Sequence, residues 1–212
     1  MRYRMPYAVY LNYSPRGISQ YASDSKIIKG AIKNGNRNLI LKIAQRITES
    51  DEAPFLAEYL NENRILVPTP RSAPLIEGAL WPTKTICEVF VENGLGQETL
   101  TLLNRQIPVP KSSAIYNADV RPSVQRHMDS IRIIPSLVNP ASNFTIIDDV
   151  LTLGRTTYAC AHLLKTAYPL ADIKIFVIMR TMGLVDDISR LVQPRNGEIH
   201  FNTDSGKTWI PN

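Results

Sequence analysis

The chain has 212 residues, 44% of them hydrophobic, with 24 basic against 19 acidic side chains and a net charge of +5. That length holds one domain, or one domain with a small appendage, around a sizeable core. No uninterrupted apolar run approaches membrane-spanning length, and no charged stretch followed by an apolar one marks a secretion signal, so a cytoplasmic protein without membrane contact is expected. The mild basic excess suits anionic small ligands as well as nucleic acid and decides neither. Cys87 and Cys160 lie far apart without metal-ligand spacing, and read as small buried hydrophobes in a reducing compartment.

Met1 to Ser23 is rich in Tyr (Tyr3, Tyr7, Tyr10, Tyr13, Tyr21), with Arg2, Arg4 and Arg16, and Ser14-Pro15-Arg16-Gly17 signals a turn. Aromatics interleaved with Arg suit base stacking, but a strand or extended arm packed on its own domain is the expectation. Asp24 or Ser25 caps a helix carrying Ile27, Ile28, Ala31 and Ile32, ending near Asn34-Gly35. Asn36 or Asn38 opens a second, with Leu39, Ile40, Ile43, Ala44 and Ile47 on one face. A third runs from Ala53 to Asn61.

Arg64 to Val67 reads as a short buried strand. Pro68-Thr69-Pro70-Arg71-Ser72-Ala73-Pro74 follows, stiffened by its prolines, with Arg71 placed to meet an anion and Ser72 able to donate. Pro82 to Asn93 reads as a helix ended by Gly94-Leu95-Gly96, and Thr99 to Leu103 as a short strand. Asn104 to Arg121 is polar and turn-rich, the composition of a lid. Pro122 to Ser130 reads as a helix with His127 on its surface, and Ile131 to Leu137 as a strand.

The most informative stretch is Phe144 to Thr157. An apolar, β-branched run (Phe144 to Ile147) reads as a buried strand. Asp148 and Asp149 stand at its end, a turn of Thr152, Leu153, Gly154, Arg155 and Thr156 follows, and helical spacing resumes from Thr157 through Tyr158, Leu163 and Leu164. A loop entering a helix N-terminus offers free N–H groups and partial positive charge to a phosphate. Gly154 permits close approach, and carboxylates just up the strand suit ribose hydroxyls. A sugar phosphate is the ligand this order of groups fits. Beyond it, Asp172 to Met179 reads as a strong strand, Val185 to Val192 as a short helix, and Trp209 as packing the tail onto the domain.

Asp148-Asp149-Val150-Leu151-Thr152-Leu153-Gly154-Arg155-Thr156 resembles the phosphoribosyl pyrophosphate (PRPP) loop of type I phosphoribosyltransferases, closest to the ComF-like branch. It departs at Leu153, where the family usually has a second Thr. Val67-Pro68-Thr69-Pro70 resembles the pyrophosphate loop of the same branch. The resemblance covers about residues 65 to 181. It implies a mainly parallel sheet flanked by helices, residues 64–212, with a helical N-terminal extension, residues 1–63, acting as a hood.

The chemistry that resemblance implies is Mg²⁺-dependent displacement of pyrophosphate from C1 of PRPP by a nitrogenous base, within nucleotide metabolism. Asp148 and Asp149 would be the catalytic pair, on the ribose hydroxyls and on Mg²⁺ directly or through water. Leu151, Thr152, Leu153, Gly154, Arg155 and Thr156 would hold the 5′-phosphate. Thr69, Arg71 and Ser72 would meet the pyrophosphate, and Arg105 and Lys111 would sit on a flexible lid. The family leaves a homodimer open. Purine-salvage members carry an Asp base at the position of Thr152, so another base, an acceptor needing none, or no transfer is implied here. Many ComF-like proteins begin with a four-cysteine zinc module, which two scattered cysteines cannot build, so that module is absent or another element replaces it. Two other readings stand beside the enzyme: a PRPP- or nucleotide-sensing protein acting in DNA uptake or processing, and a nucleic-acid binder using the Tyr/Arg-rich N-terminus.

Overall fold

In a computed structural model, residues 2–50, 53–111, 120–137, 142–183 and 187–211 are described. The elements run β1 (Arg2–Tyr13), α1 (Gln20–Lys33), α2 (Arg37–Thr48), a 3₁₀ turn (Pro54–Glu58), β2 (Ile65–Pro68), α3 (Pro82–Glu92), β3 (Glu98–Thr99), β4 (Leu103–Arg105), α4 (Val124–Ser130), β5 (Ile131–Ile133), β6 (Asn143–Leu151), α5 (Arg155–Ala167), β7 (Asp172–Thr181), β8 (Val192–Asn202) and β9 (Lys207–Trp209).

One seven-stranded sheet has the order β3-β2-β6-β7-β1-β8-β9. β3, β2, β6, β7 and β1 pair in parallel, and β8 and β9 close one side antiparallel. β4 and β5 form a separate antiparallel pair. The apolar runs of β6 and β7 are continuous because both sheet faces are covered, as in parallel α/β sheets. Alternation along each strand then splits the core. Val9, Val67, Ile146 and Ile175 turn to the face covered by α4 and α5. Ala8, Leu66, Ile147 and Phe176 turn to the face covered by α1, α2 and α3. Cys87 and Cys160 are both buried, one on each side.

β1 is an internal strand between β7 and β8, so the first thirteen residues belong to the same sheet as the C-terminal strands. Tyr7 and Tyr10 are 1% and 3% exposed, which removes them as a base-stacking surface. Far from the cleft described below, Arg64 braces the opposite edge: its Nε donates to Thr145 Oγ1 (2.6 Å) and its Nη1 to Asp172 Oδ2 (2.8 Å).

Several elements differ from expectation for local reasons. α1 starts earlier, capped by Ser19, whose side chain accepts from the Ala22 amide; Asp187 accepts from the Ser19 hydroxyl and amide and holds that cap in place. Ser25 lies buried inside the helix. The third helix shortens to the 3₁₀ turn. The Thr99–Leu103 strand divides between β3 and β4, and the Ile131–Leu137 strand ends at Ile133. Val192 opens β8, and residues 187–191 are not helical; residues 185 and 186 of that expected helix lie outside the described residues. Among the described residues, no helix is long and apolar enough to cross a membrane.

Candidate functional site

The parallel register brings the carboxyl ends of β2, β6, β7 and β1 to one edge, the place where open α/β sheets bind ligands. β6 runs on through the acidic pair, so Asp148 and Asp149 are strand residues whose side chains take opposite directions. Asp148 Oδ1 accepts from Thr69 Oγ1 (2.9 Å) at the end of β2 and from the Asp149 amide (3.0 Å). Burial, then the charge of Asp149, raises the Asp148 carboxyl above the usual carboxylate range, against the opposing pull of Lys33 and the Thr69 hydrogen bond. Asp149, 5% exposed, forms an ion pair with Lys33 at the end of α1. Burial works against the Lys33 charge, but Asp149 and Asp148 outweigh it and hold its ammonium pKa above the ordinary lysine value.

Past β6 the chain turns at Gly154, whose φ of 70° is left-handed. A Cβ there would come within 2.8 Å of Ile199 Cδ1, so both conformation and packing demand glycine. Thr208 Oγ1 donates to the Leu153 carbonyl (2.6 Å), fixing the turn from β9. α5 starts at Arg155 with no side-chain cap. Its first-turn amides therefore have no intrahelical acceptor and carry the positive end of the helix dipole.

The β2 loop is held from several sides. The Thr69 amide donates to Ile147 O (2.9 Å), and the Thr69 carbonyl accepts from Trp81 Nε1 and Thr83 Oγ1, each at 2.8 Å. Arg105 Nε donates to Arg71 O (3.0 Å), and the Val109 amide to Ser72 O (2.8 Å). Those bonds use backbone carbonyls, and the Arg71 side chain is exposed.

Arg105 stands in β4, 2% exposed, and also donates to Ser130 Oγ. It is a fixed strand residue rather than part of a mobile loop. Lys111 is exposed at the start of the long connection; Ser112 and the rest of residues 112–119 lie outside the described residues. Arg155 Nη1 donates to the Arg121 carbonyl (2.9 Å), so this side chain anchors the far end of the same connection.

His127, expected on the surface, is 2% exposed. Its Nδ1 lies 3.3 Å from Arg105 Nη2 and its Nε2 lies 3.3 Å from Thr156 Oγ1. Burial, then the charges of Arg105 and Arg155, lowers its pKa to about 4, so the ring is neutral near pH 7. A guanidinium only donates, which assigns Nδ1 as acceptor and puts the ring proton on Nε2. Nε2 then donates to Thr156 Oγ1, and the Thr156 hydroxyl proton is left for another acceptor.

A cleft of about 560 Å³ unites these parts. Thr69, Arg71, Ser72, Arg105, Lys111, Asp148, Asp149, Leu151, Thr152, Leu153, Gly154, Arg155 and Thr156 all line it. So do residues that the sequence reading did not assign to the site: Tyr13, Lys29, Lys33, Trp81, Thr83, His127 and Thr181. A weak hint lay in Lys29 and Lys33, four apart and therefore on one helix face. Its described acidic lining is Asp148 and Asp149, set against Lys29, Lys33, Arg71, Arg105, Lys111, Arg121 and Arg155, a balance that favours a polyanion. No group of three or more His, Cys, Asp or Glu side chains able to hold a metal occurs among the described residues. Two carboxylates alone fit Mg²⁺, which keeps waters and shares substrate oxygens, better than a metal needing a full protein cage.

No family model matches the sequence, and no curated protein matches it. Among solved structures the chain is similar to a hypoxanthine phosphoribosyltransferase from Staphylococcus aureus, with 12% identity and a TM-score of 0.37 over 72% of this chain and 68% of that one. It is also similar to an adenine phosphoribosyltransferase from Leishmania tarentolae, with 16% identity and a TM-score of 0.34 over 81% of this chain and 83% of that one. The mostly parallel, helix-flanked sheet stands on the strand order and pairing themselves.

Proposed function

We propose that the protein binds PRPP with Mg²⁺ and transfers its phosphoribosyl group to a nitrogenous acceptor, releasing pyrophosphate. What supports this reading is that one cleft holds the acidic pair together with the start of α5, which has no side-chain cap, and the Arg71 loop. The 5′-phosphate sits on the α5 amides with the Thr156 hydroxyl donating to it. Asp148 and Asp149 accept from the ribose hydroxyls, and Thr69, Arg71 and Ser72 face the pyrophosphate. Mg²⁺, held by Asp148 and Asp149 directly or through water, would neutralise charge on the leaving pyrophosphate.

In the transfer, the acceptor nitrogen's lone pair forms the bond to C1 as the C1–O bond breaks, and that bond's electrons leave with pyrophosphate. Positioning and charge stabilisation supply most of the acceleration. The motif resemblance to ComF-like proteins supports the same ligand. A second reading, PRPP binding without turnover, draws on the Lys33–Asp149 ion pair, which engages one carboxylate, and on Thr152, which offers no base.

Calorimetry with PRPP, with and without Mg²⁺, tests the site. Binding that needs Mg²⁺ and disappears in Asp148→Asn/Asp149→Asn supports it. No binding by the wild type at millimolar PRPP refutes it. Pyrophosphate release over an acceptor panel then separates transfer from sensing.

A further inference from the structure

The cleft has a third wall that PRPP does not use. With phosphate on α5 and pyrophosphate on the β2 loop, the ends of β7 and β1 and the facing side of α1 remain for the acceptor. This inference rests on the PRPP reading. Three groups define that wall. Tyr13, at the end of β1, offers a partly buried ring. Lys29 Nζ lies 5.0 Å from that ring's centroid and donates to its hydroxyl (3.2 Å). No carboxylate pairs with Lys29 among the described residues. Thr181, level with Tyr13 in the β1–β7 register, has a buried Oγ1 without a hydrogen-bond partner among the described residues.

From these groups we infer that the acceptor is a flat aromatic carboxylate carrying a nitrogen whose lone pair is already free. The ring stacks at Tyr13, the carboxylate meets Lys29, and Thr181 donates to it. A cation already near an aromatic face is a ready counter-ion for an anionic ring.

The missing base points the same way. The carboxylate and imidazole side chains among the described lining of the cleft are Asp148, Asp149 and His127. The carboxylates face ribose, and the His127 acceptor nitrogen is taken by Arg105. A pyridine-type or aniline-type nitrogen needs no proton removed before it attacks.

The test titrates pyridine-3-carboxylate, 2-aminobenzoate, adenine and hypoxanthine into the protein in the presence of Mg²⁺ and pyrophosphate, with PRPP affinity measured in parallel. The carboxylates are expected to bind about tenfold tighter than the purines, the size of one charge-assisted hydrogen bond. Lys29→Met should erase that preference, and Thr181→Val should weaken carboxylate binding severalfold. Purines binding as tightly as the carboxylates, or a preference surviving in Lys29→Met, overturns the inference while PRPP binding stands. Absence of PRPP binding removes the parent reading and this inference together.

Discussion

Lys33, the last residue of α1, pairs with Asp149, the buried member of the acidic pair on β6. The lysine occupies one side of the carboxylate that a metal ion would also seek. Lys33→Met leaves Asp149 buried without its counter-charge. The Lys33 side chain is 46% exposed, so solvent tempers the loss, and about 1 kcal/mol of stability is expected to go. The same variant should bind Mn²⁺ more tightly, because the ion no longer competes with an ammonium. Urea denaturation and Mn²⁺ titration by electron paramagnetic resonance check both. Unchanged Mn²⁺ affinity would mean that Lys33 and the ion do not share the site.

Gly154→Ala adds a methyl at a left-handed position where it meets Ile199. A loss of about 1–3 kcal/mol is expected, from strain and overpacking together. Ile199→Ala in the same chain relieves the packing part and leaves the backbone part. Thermal unfolding of the single and double variants separates them, and ribose 5-phosphate affinity should track the backbone part.

His127 has a folded pKa of about 4, below the ordinary value of 6.5. The unfolded chain therefore binds the extra proton first. The stability His127 contributes is full above pH 6.5 and is lost as pH falls from there toward 4, at most about 3 kcal/mol. Asp148, whose pKa is raised, changes stability in the opposite direction, since its folded form gains a proton more readily. The difference between wild type and His127→Asn across that window isolates the histidine. Equal pH profiles would contradict the buried, neutral assignment. PRPP affinity near pH 7 should also fall in His127→Asn, because Thr156 loses the partner that aims its hydroxyl.

Arg105 ties β4 to the β2 loop through Arg71 O, and to α4 through Ser130 and His127. Lysine cannot reproduce that fork. Arg105→Lys is expected to lower stability by about 1–3 kcal/mol, and to weaken pyrophosphate binding because the Arg71 loop loses a tether. Differential scanning calorimetry and pyrophosphate titration read the two effects. Loss of stability with full pyrophosphate affinity would confine Arg105 to a structural part.

The strand, acidic pair, glycine turn and helix start from Phe144 to Thr157 were legible because that unit is contiguous. Its apolar run, paired acids and turn residues each state a local preference, and those preferences agree. The proline-stiffened loop after Val67 was legible on the same ground. Periodicity also located α2 and β7, but it placed the cap of α1 at Asp24 or Ser25, because Ser19 is favoured by Asp187, which is distant in sequence.

What depended on tertiary structure was every partnership across the sheet. The pattern of β1 marks a strand, yet alternation does not say which strands lie beside it, and pairing with β7 and β8 is what buries Tyr7 and Tyr10. His127 sits on a short polar-looking helix, and packing of α4 against α5 is what places it between Arg105 and Thr156. Lys33 looks like any solvated helix-end lysine until the sheet brings Asp149 to meet it. Local sequence sets the conformations a segment prefers and the face it must bury; the faces it meets follow from burying all of them at once.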